Sequence, residues 1–233
     1  MDRDQLSVRL VGGFELRRDS VPIDVPLSSQ RLLGFLALNE RPLPRAYVAA
    51  MLWPETPDER AAANLRTALW RLHRPGFELV VVTAGRLSLH PDVRVDVRVL
   101  HAAAEEHRRT RRLPPADVLA EARGELLPGC WDGWLVFERE RLRQEAVCLL
   151  EAACAACLER GEPHVAVLHA LAAVECDPLR ESATILALRA HLADGNRAAA
   201  VRRARQYTTM LHEELGVAPS SSFSDELEPA TVG

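Results

Sequence analysis

The stretch TPDERAAANLRTALWRLHR, residues 56–74, decides the fold expected for the first half of the chain. Thr56 and Glu59 have the spacing of a capping box, and Pro57 suits a first helical position, so a helix is predicted to begin here. At about 100° per residue, one side of this helix is apolar. Its members are Ala61, Ala62, Leu65, Ala68, Leu69 and Leu72. The pattern predicts a helix with one face in a core.

The opposite side of the predicted helix is basic. After the first-turn acids Asp58 and Glu59 no carboxylate follows before Pro75, so four arginines lack a nearby acid: Arg60, Arg66, Arg71 and Arg74. Exposed arginines are most often solvated or paired with acids from elsewhere in the fold. However, an outward Trp70 and a small Thr67 beside them favour a groove over water. The face therefore predicts a partner that carries phosphates.

The charge of the chain is divided unevenly between its halves. All 29 basic residues are arginine. Residues 1–115 hold 18 Arg against 14 Asp and Glu, net +4, and residues 116–233 hold 11 against 19, net −8. A basic front and an acidic back favour a nucleic-acid-binding module followed by a protein-contact module. A length of 233 residues fits two domains.

Further elements surround the basic helix. They are a β-meander over 6–25, a helix over 28–39, a second helix over 44–53, and a β-hairpin over 78–89. Ser28 or Ser29 can cap the first of these helices, and Pro44 can start the second. Another helix is expected over 100–112. A meander, three helices of which the third is basic, and a hairpin form the order of an OmpR-type winged helix-turn-helix.

The second half is predicted to be helical to about residue 216. Four residues recur 34 positions later, which is the tetratricopeptide period: Gly161, Ala166, Val167 and Ala170 match Gly195, Ala200, Val201 and Ala204. Pro114-Pro115 marks the expected boundary between a winged domain over 1–112 and a helical-repeat domain over 117–219. The tail 220–233 is rich in Ser and acid and is expected to be disordered. The fold class is mainly α with a small antiparallel β component.

No catalytic or cofactor motif is found. The chain has no GxxxxGK, GxGxxG, GxSxG or HExxH pattern. Cys154 and Cys157 form a CxxC pair, but both complete the apolar face of a predicted helix, which favours core packing over a metal or redox site. Trp131 and Trp134 are expected to pack against the helix that they precede. We predict neither an enzyme activity nor a metal or cofactor.

Localisation follows from the N-terminus and the cysteines. The first ten residues, MDRDQLSVRL, carry charges where a signal peptide has an apolar run, and no stretch approaches a membrane span. The five cysteines are odd in number and all lie in the second half, unlike a secreted disulfide framework. A cytoplasmic, nucleoid-associated protein without membrane contact is expected.

Two groups of motifs carry a more specific resemblance. The first comprises SSQRLLGFLALNERPLPRAYVAAMLWPETPDERAAANLRTALWRL (28–72) and VVVTAGRLSLHPDVRVDV (80–97). It resembles the DNA-binding domain of the Streptomyces antibiotic regulatory protein (SARP) family. The second comprises GELLPGCWDGWLVFERERLRQ (124–144), residues 161–207 and HEELGVAPS (212–220). It resembles that family's bacterial transcriptional activator domain. The resemblance covers about residues 6–222.

The resemblance implies a transcriptional activator of a secondary-metabolite or antibiotic biosynthesis gene cluster. Its protomers would bind direct repeats of double-stranded DNA near promoters, associate with each other there, and recruit RNA polymerase holoenzyme through its sigma factor. The third helix would lie in the major groove. The residues expected at the DNA are Gln30, Arg31, Arg45, Arg60, Arg66, Thr67, Trp70, Arg71, Arg74 and, on the wing, Arg86.

Two features of the chain qualify this expectation. Trp70 is bulky where such helices usually place a smaller or polar residue, so no base preference is carried over. The chain ends before the ATPase and sensor regions of larger family members, so regulation by nucleotide is not expected. The rival hypothesis is a tetratricopeptide-like protein-interaction module whose winged domain no longer binds DNA.

Overall fold

A computed structural model of the chain describes residues 5–73 and 78–231. As predicted, the described fold is mainly helical with a small β component. Contacts divide the chain into two units: unit 1 comprises Met1–His101 with Gly124–Leu142, and unit 2 comprises Ala102–Arg123 with Arg143–Gly233. Each unit therefore combines two separate segments of the sequence, whereas each of the expected domains 1–112 and 117–219 is one continuous segment. That pair of boundaries stays a prediction.

The meander at the start of unit 1 forms as the alternating pattern indicated. Strands β1 (Leu6–Arg9), β2 (Glu15–Arg18) and β3 (Val21–Pro22) pair antiparallel in sequence order. A fourth strand, β7 (Arg94–Val95), lies where Val93, Val95 and Val97 alternate, and it joins β1 in parallel, so the sheet order is β3-β2-β1-β7. The sheet is therefore mixed rather than purely antiparallel.

Three helices follow the meander: α1 (Leu27–Ala37), α2 (Arg45–Leu52) and α3 (Asp58–Leu72). The second begins after Pro44, as predicted. The expected serine cap of α1 is wrong, because Pro26 precedes the helix and no side chain caps it. Ser29 is instead buried within α1, where its hydroxyl donates to the Ala68 carbonyl of α3 at 3.1 Å.

The predicted hairpin follows α3 in the chain. Strands β5 (Val80–Thr83) and β6 (Arg86–Leu89) pair antiparallel, and β4 (Leu43–Pro44) adds to the other edge of β6. The two turn residues, Ala84 and Gly85, have φ of 49° and 75°. Positive φ at both positions is typical of a type I′ turn, whose twist matches that of paired strands.

Helix α4 (Asp96–Thr110) begins four residues before the predicted Leu100. The buried Asp96 carboxylate accepts hydrogen bonds from the backbone N–H groups of Leu10, Val11 and Val97, at 2.8 to 3.0 Å. Burial raises the pKa of Asp96, and these three hydrogen bonds oppose that rise. The carboxylate thus fastens the end of the first strand to the start of the helix. A short helix, α5 (Ala116–Glu121), follows.

The chain then returns to unit 1. Val11 and Leu126 form an antiparallel bridge, with Gly12 N–H donating to Glu125 O and Leu127 N–H donating to Leu10 O, both at 2.8 Å. Leu126 and Leu127 are buried at this junction. Because the bridge joins residues more than a hundred positions apart, no local pattern could indicate it.

The two tryptophans of the returning segment behave differently from each other. A short 3-10 helix (Gly133–Leu135) leads into α6 (Val136–Glu159). Trp134 packs edge-on against Phe35 of α1, with ring centroids 5.2 Å apart. Trp131 is 86% exposed, and the Arg139 guanidinium lies over its ring. Trp131 thus contacts Arg139 of the helix that it precedes, although its ring stays exposed, whereas Trp134 packs on α1.

The later part of α6 and four further helices build most of unit 2. They are α7 (Pro163–Cys176), α8 (Glu181–Ala193), α9 (Arg197–Leu215) and α10 (Ser221–Thr231). The 34-residue repeat is confirmed, because Gly161 and Gly195 precede equivalent helices with φ of 72° and 73°. The repeated alanines are all buried: Ala166, Ala170, Ala200 and Ala204.

Helix α10 occupies the segment whose composition favoured a disordered tail. Phe223 is buried against Tyr207, with ring centroids 5.1 Å apart. The Ser220 hydroxyl bonds the Glu181 carboxylate, and Arg189 forms an ion pair with Glu226. One aromatic anchor and two polar contacts thus hold a segment that is otherwise poor in apolar residues.

Candidate nucleic-acid interface

Helix α3 has the two faces that its sequence indicated. Its buried residues are Ala61, Leu65, Ala68 and Leu72. On the other side, Arg66, Thr67 and Arg71 are exposed, and Trp70 is 76% exposed. Helices α1 and α2 pack against the buried side. The hydrogen bond from Ser29 of α1 to the Ala68 carbonyl fixes the position of α3 along α1. The basic face is therefore presented to solvent by a rigid support.

The start of α3 differs from the predicted capping box. The helix begins at Asp58, Pro57 occupies the preceding position with φ −54° and ψ 143°, and no side chain caps it. The Pro57 carbonyl accepts from the N–H groups of Arg60 and Ala61. Asp58 and Glu59 lie in the first turn, where negative charge suits the helix dipole. The predicted Thr56–Glu59 box is wrong, although the helix starts close to the expected position.

The arginines of α3 have no acidic partner in the described part of the chain. Arg60, Arg66 and Arg71 are exposed, and none of them makes a hydrogen bond or ion pair through its side chain with a described residue. Arg74, the fourth arginine of the predicted face, lies outside the described residues. Three guanidinium groups thus stand on one helix with their donors available to a ligand.

Many arginines of unit 2 are in a different situation. They are paired with acids from their own or neighbouring helices: Arg108 with Glu105, Arg109 with Glu106, Arg160 with Glu162, and Arg180 with Glu151. The three exposed arginines of α3 differ from these four, because none of the three has an acidic partner among the described residues.

The hairpin brings two more of the predicted residues together. The Arg45 N–H donates to Gly85 O at 3.2 Å, and the Arg86 guanidinium donates to Pro42 O at 3.1 Å. Strand pairing of Leu43 with Leu87 holds the start of α2 beside the hairpin turn. The backbone of Arg45 and the side chain of Arg86 are therefore both held beside the hairpin turn.

Two predicted phosphate contacts are occupied within unit 1. The Gln30 amide donates to Val25 O at 2.9 Å. Arg31 donates to both Asp132 carboxylate oxygens and to Leu52 O. Burial alone would raise the pKa of Asp132, but the hydrogen bonds from Arg31 and Cys130 hold it below its usual value. The structure uses Arg31 to join α1 to the returning segment, so its donors are not turned to a ligand.

Sequence reasoning missed two supporting residues of this interface. Ser29 was interpreted as a cap, and Asp132 was not considered. Both act on partners far away in sequence, at separations of 39 and 101 residues. Ser29 lies in the first turn of α1 between Ser28 and Gln30, so its polar neighbours gave no signal that its hydroxyl would be buried against α3.

The two cysteines of the CxxC pair pack in the hydrophobic core of unit 2, as the apolar face of their helix predicted. Cys154 and Cys157 are buried in α6, and burial raises the pKa of Cys154 to about 11. A thiol with so high a pKa is a poor nucleophile and metal ligand at neutral pH. Within residues 5–73 and 78–231, no group of three His, Cys, Asp or Glu side chains is arranged to hold a metal ion. Among the described helices, none has the length and apolarity needed to cross a membrane.

Comparisons with known proteins identified a family and a similar solved structure. Residues 92–225 match the family described as the bacterial transcriptional activator domain. The fold is similar to a solved structure of Mycobacterium tuberculosis EmbR in complex with a low-affinity phosphopeptide, with a TM-score of 0.68 and 20% sequence identity. The similarity covers 97% of this chain and 65% of the EmbR chain, so the sequence spans about two thirds of that protein's length. The curated proteins gave no match.

Proposed function

The chain belongs to the bacterial transcriptional activator domain family, and from that premise we propose that it activates transcription by binding promoter DNA through unit 1. In this proposal α3 lies in the major groove and the wing contacts the neighbouring backbone. Unit 2, whose half of the sequence is acidic, contacts RNA polymerase. The controlled genes form a secondary-metabolite cluster, as the resemblance to SARP regulators implies.

The observation that carries the proposal is the exposed face of α3. Arg60, Arg66 and Arg71 lack partners among the described residues, and Trp70 stands between them. Each arginine that neutralises a phosphate lowers the slope of log affinity against log salt by about 0.9. Three such contacts give a slope of about −2.7, which means that affinity falls about fortyfold when the salt concentration rises fourfold. One unit 1 is therefore a weak, salt-sensitive binder.

A second protomer on a direct repeat would remedy this weakness. Half-sites one helical turn apart, about 10 to 11 base pairs, place two α3 helices on the same side of the duplex. The number of phosphate contacts then doubles without any change in fold. We therefore propose that the active species is a pair of protomers arranged head to tail on DNA.

The decisive experiment is a mobility-shift assay on the DNA upstream of the chain's own gene and of its neighbours. Arg66→Ala and Arg71→Ala should each weaken binding about five- to thirtyfold, because each removes a contact worth about 1 to 2 kcal/mol. Arg205→Ala is the matched control, since it removes an exposed arginine of α9 in unit 2 and should leave affinity unchanged.

The rival function gives the opposite result. If unit 1 serves only as a docking surface for protein, neither α3 substitution will alter binding to any upstream duplex. Equal effects of Arg205→Ala and the α3 variants would point to nonspecific attraction by charge. Either result contradicts the assignment of α3 to the major groove.

A further inference from the structure

We propose that Trp70 sets the base preference of this protein by covering the C5-methyl groups of thymines in the major groove. The inference rests on the proposed DNA-binding function and extends it from the class of ligand to the base that is read. It concerns one side chain at the centre of the exposed face of α3.

The exposure of Trp70 is the first argument. The indole is 76% exposed, whereas Leu65 and Leu72 of the same helix are buried. Covering an indole removes much apolar surface from water, which is favourable wherever the covering surface is itself apolar. Trp70 therefore gains most from a ligand that offers apolar groups at this position.

The chemistry of the neighbouring residues is the second argument. The Thr67 hydroxyl donates to the Ala63 carbonyl at 3.0 Å, so its hydrogen is not available to a base. Trp70 itself has one N–H donor and cannot form the bidentate pair that arginine makes with guanine. The middle of the face thus lacks strong hydrogen-bond donors, whereas the guanidinium N–H groups of Arg66 and Arg71 on either side are available.

The major groove offers one apolar group that matches this arrangement. Among the groups that base pairs present there, only the thymine C5-methyl is apolar, and the others are hydrogen-bond donors or acceptors. A purely polar base edge under Trp70 would lose water without gaining a partner. The flanking arginines are suited to guanine or phosphate. The face as a whole therefore fits thymine at its centre with guanine or phosphate beside it.

The experiment uses the full chain and removes only the methyl group. Duplexes that bind are enriched from a random DNA library, and each thymine of the selected site is replaced in turn by deoxyuridine, which keeps every hydrogen bond. For the wild type, one or two replacements should weaken binding about fourfold each, the value of one buried methyl. In Trp70→Ala the same replacements should change affinity less than about 1.5-fold, since the methyl has lost its cover.

A matched control separates this effect from general stickiness of an exposed indole. Trp131→Ala removes the other highly exposed tryptophan of unit 1, which is 86% exposed and lies outside α3. It should retain the full fourfold uracil penalty. Circular dichroism of all variants checks that each is folded, as expected for substitutions of exposed side chains.

Three outcomes overturn the inference. The first is a selected site without thymine, and the second is a uracil penalty that is equally large in Trp70→Ala. The third is that no replacement of thymine by deoxyuridine weakens binding by the wild type. In each case DNA binding itself survives, so the inference fails while the proposed function stands. If no duplex is enriched at all, the proposed function fails, and the inference with it.

Discussion

At the scale of single residues, the partner of a charged group matters more than its position in a motif. Arg31 and Arg66 both belong to the set expected at the DNA, yet Arg31 is held by Asp132 and Leu52 O while Arg66 has no partner among the described residues. Their sequence contexts did not separate them, because Asp132 lies 101 residues further along the chain. Only the folded chain distinguishes a structural arginine from one available to a ligand.

The first prediction at this scale concerns Thr184 in α8. Its side chain is fully buried, and its hydroxyl oxygen has no hydrogen-bond partner among the residues that the structure describes. A buried hydroxyl without a partner costs about 1 to 3 kcal/mol, and valine has the same shape without that group. We expect Thr184→Val to raise the free energy of unfolding by about 1 kcal/mol, measured by urea denaturation. Thr184→Ser keeps the hydroxyl and serves as the control. A less stable Thr184→Val would show that the hydroxyl is satisfied in solution.

The second prediction at this scale concerns acid stability. Burial lowers the pKa of His169 and His191, and the arginines near each ring lower it further. In the unfolded chain the histidine pKa is about 6.5, so below that pH the unfolded chain binds more protons than the folded chain. The stability that the two neutral histidines contribute is therefore fully present above about pH 7. It is lost as the pH falls through their lowered pKa values in the folded protein, by up to about 1.4 kcal/mol per pH unit for each histidine.

The measurement is urea unfolding at pH 7.5, 6.0 and 5.0. The variant with both His169→Gln and His191→Gln should lose less stability than the wild type over this range. Replacing the exposed His212 of α9 by Gln is the control for the loss of a surface histidine. Identical profiles for wild type and double variant would remove the two rings as the cause.

At the scale of elements, the helices of unit 1 begin in a way that sequence rules only partly captured. Pro26, Pro44 and Pro57 directly precede α1, α2 and α3, each with φ between −54° and −60°, and none of these helices has a side-chain cap. Proline fixes φ near the helical value and so prepares the first turn. The serine and threonine caps were predicted because they fit local rules, but the prolines perform this role.

Periodicity and glycine spacing were sufficient for the elements that local sequence specifies. The two faces of α3, the hairpin with Ala84-Gly85 at its turn, and the helical repeat beginning at Gly161 and Gly195 were all predicted. The parallel pairing of β7 with β1, the bridge between Val11 and Leu126, and the docking of α10 were not. Each depends on contacts between distant segments, which a periodic pattern does not encode.

A prediction about Gly124 tests that bridge. A Cβ added to this glycine would lie 2.4 Å from Cγ1 of Val11 and 3.2 Å from the Gly12 nitrogen. Gly124→Ala must therefore push the returning strand away from its partner, and we expect a loss of about 1 to 3 kcal/mol in the free energy of unfolding. Gly133→Ala meets no atom within 4 Å and is the matched control. Equal stability of both variants would contradict the close approach.

At the scale of the whole molecule, unit 1 is discontinuous in sequence. Its first part contributes Leu10 and Phe35, and its second part supplies Leu126, Leu135 and the edge-on contact of Trp134. The expected boundary near Pro115 would cut away this second part. A protein truncated there would lose core residues of unit 1 together with the helices of unit 2, so it would not test DNA binding alone.

We predict that a fragment of residues 1–142 is folded and that a fragment of residues 1–112 is much less stable. The shorter fragment lacks the four buried leucines of residues 124–142, each of which contributes about 2 kcal/mol or more. Thermal melting followed by circular dichroism compares the two. If both fragments melt at the same temperature, residues 124–142 do not belong to the core of unit 1.

The discontinuity also affects synthesis on the ribosome. The strands and helices that present Arg66 and Trp70 are complete once residue 101 has been made, but their remaining core residues arrive only with residues 124–142. At about 5 to 20 residues per second, the nascent segment waits roughly 2 to 8 seconds for them. During that interval Leu10 and Phe35 lack their final cover, which makes this stage of translation the one at which a chaperone would bind.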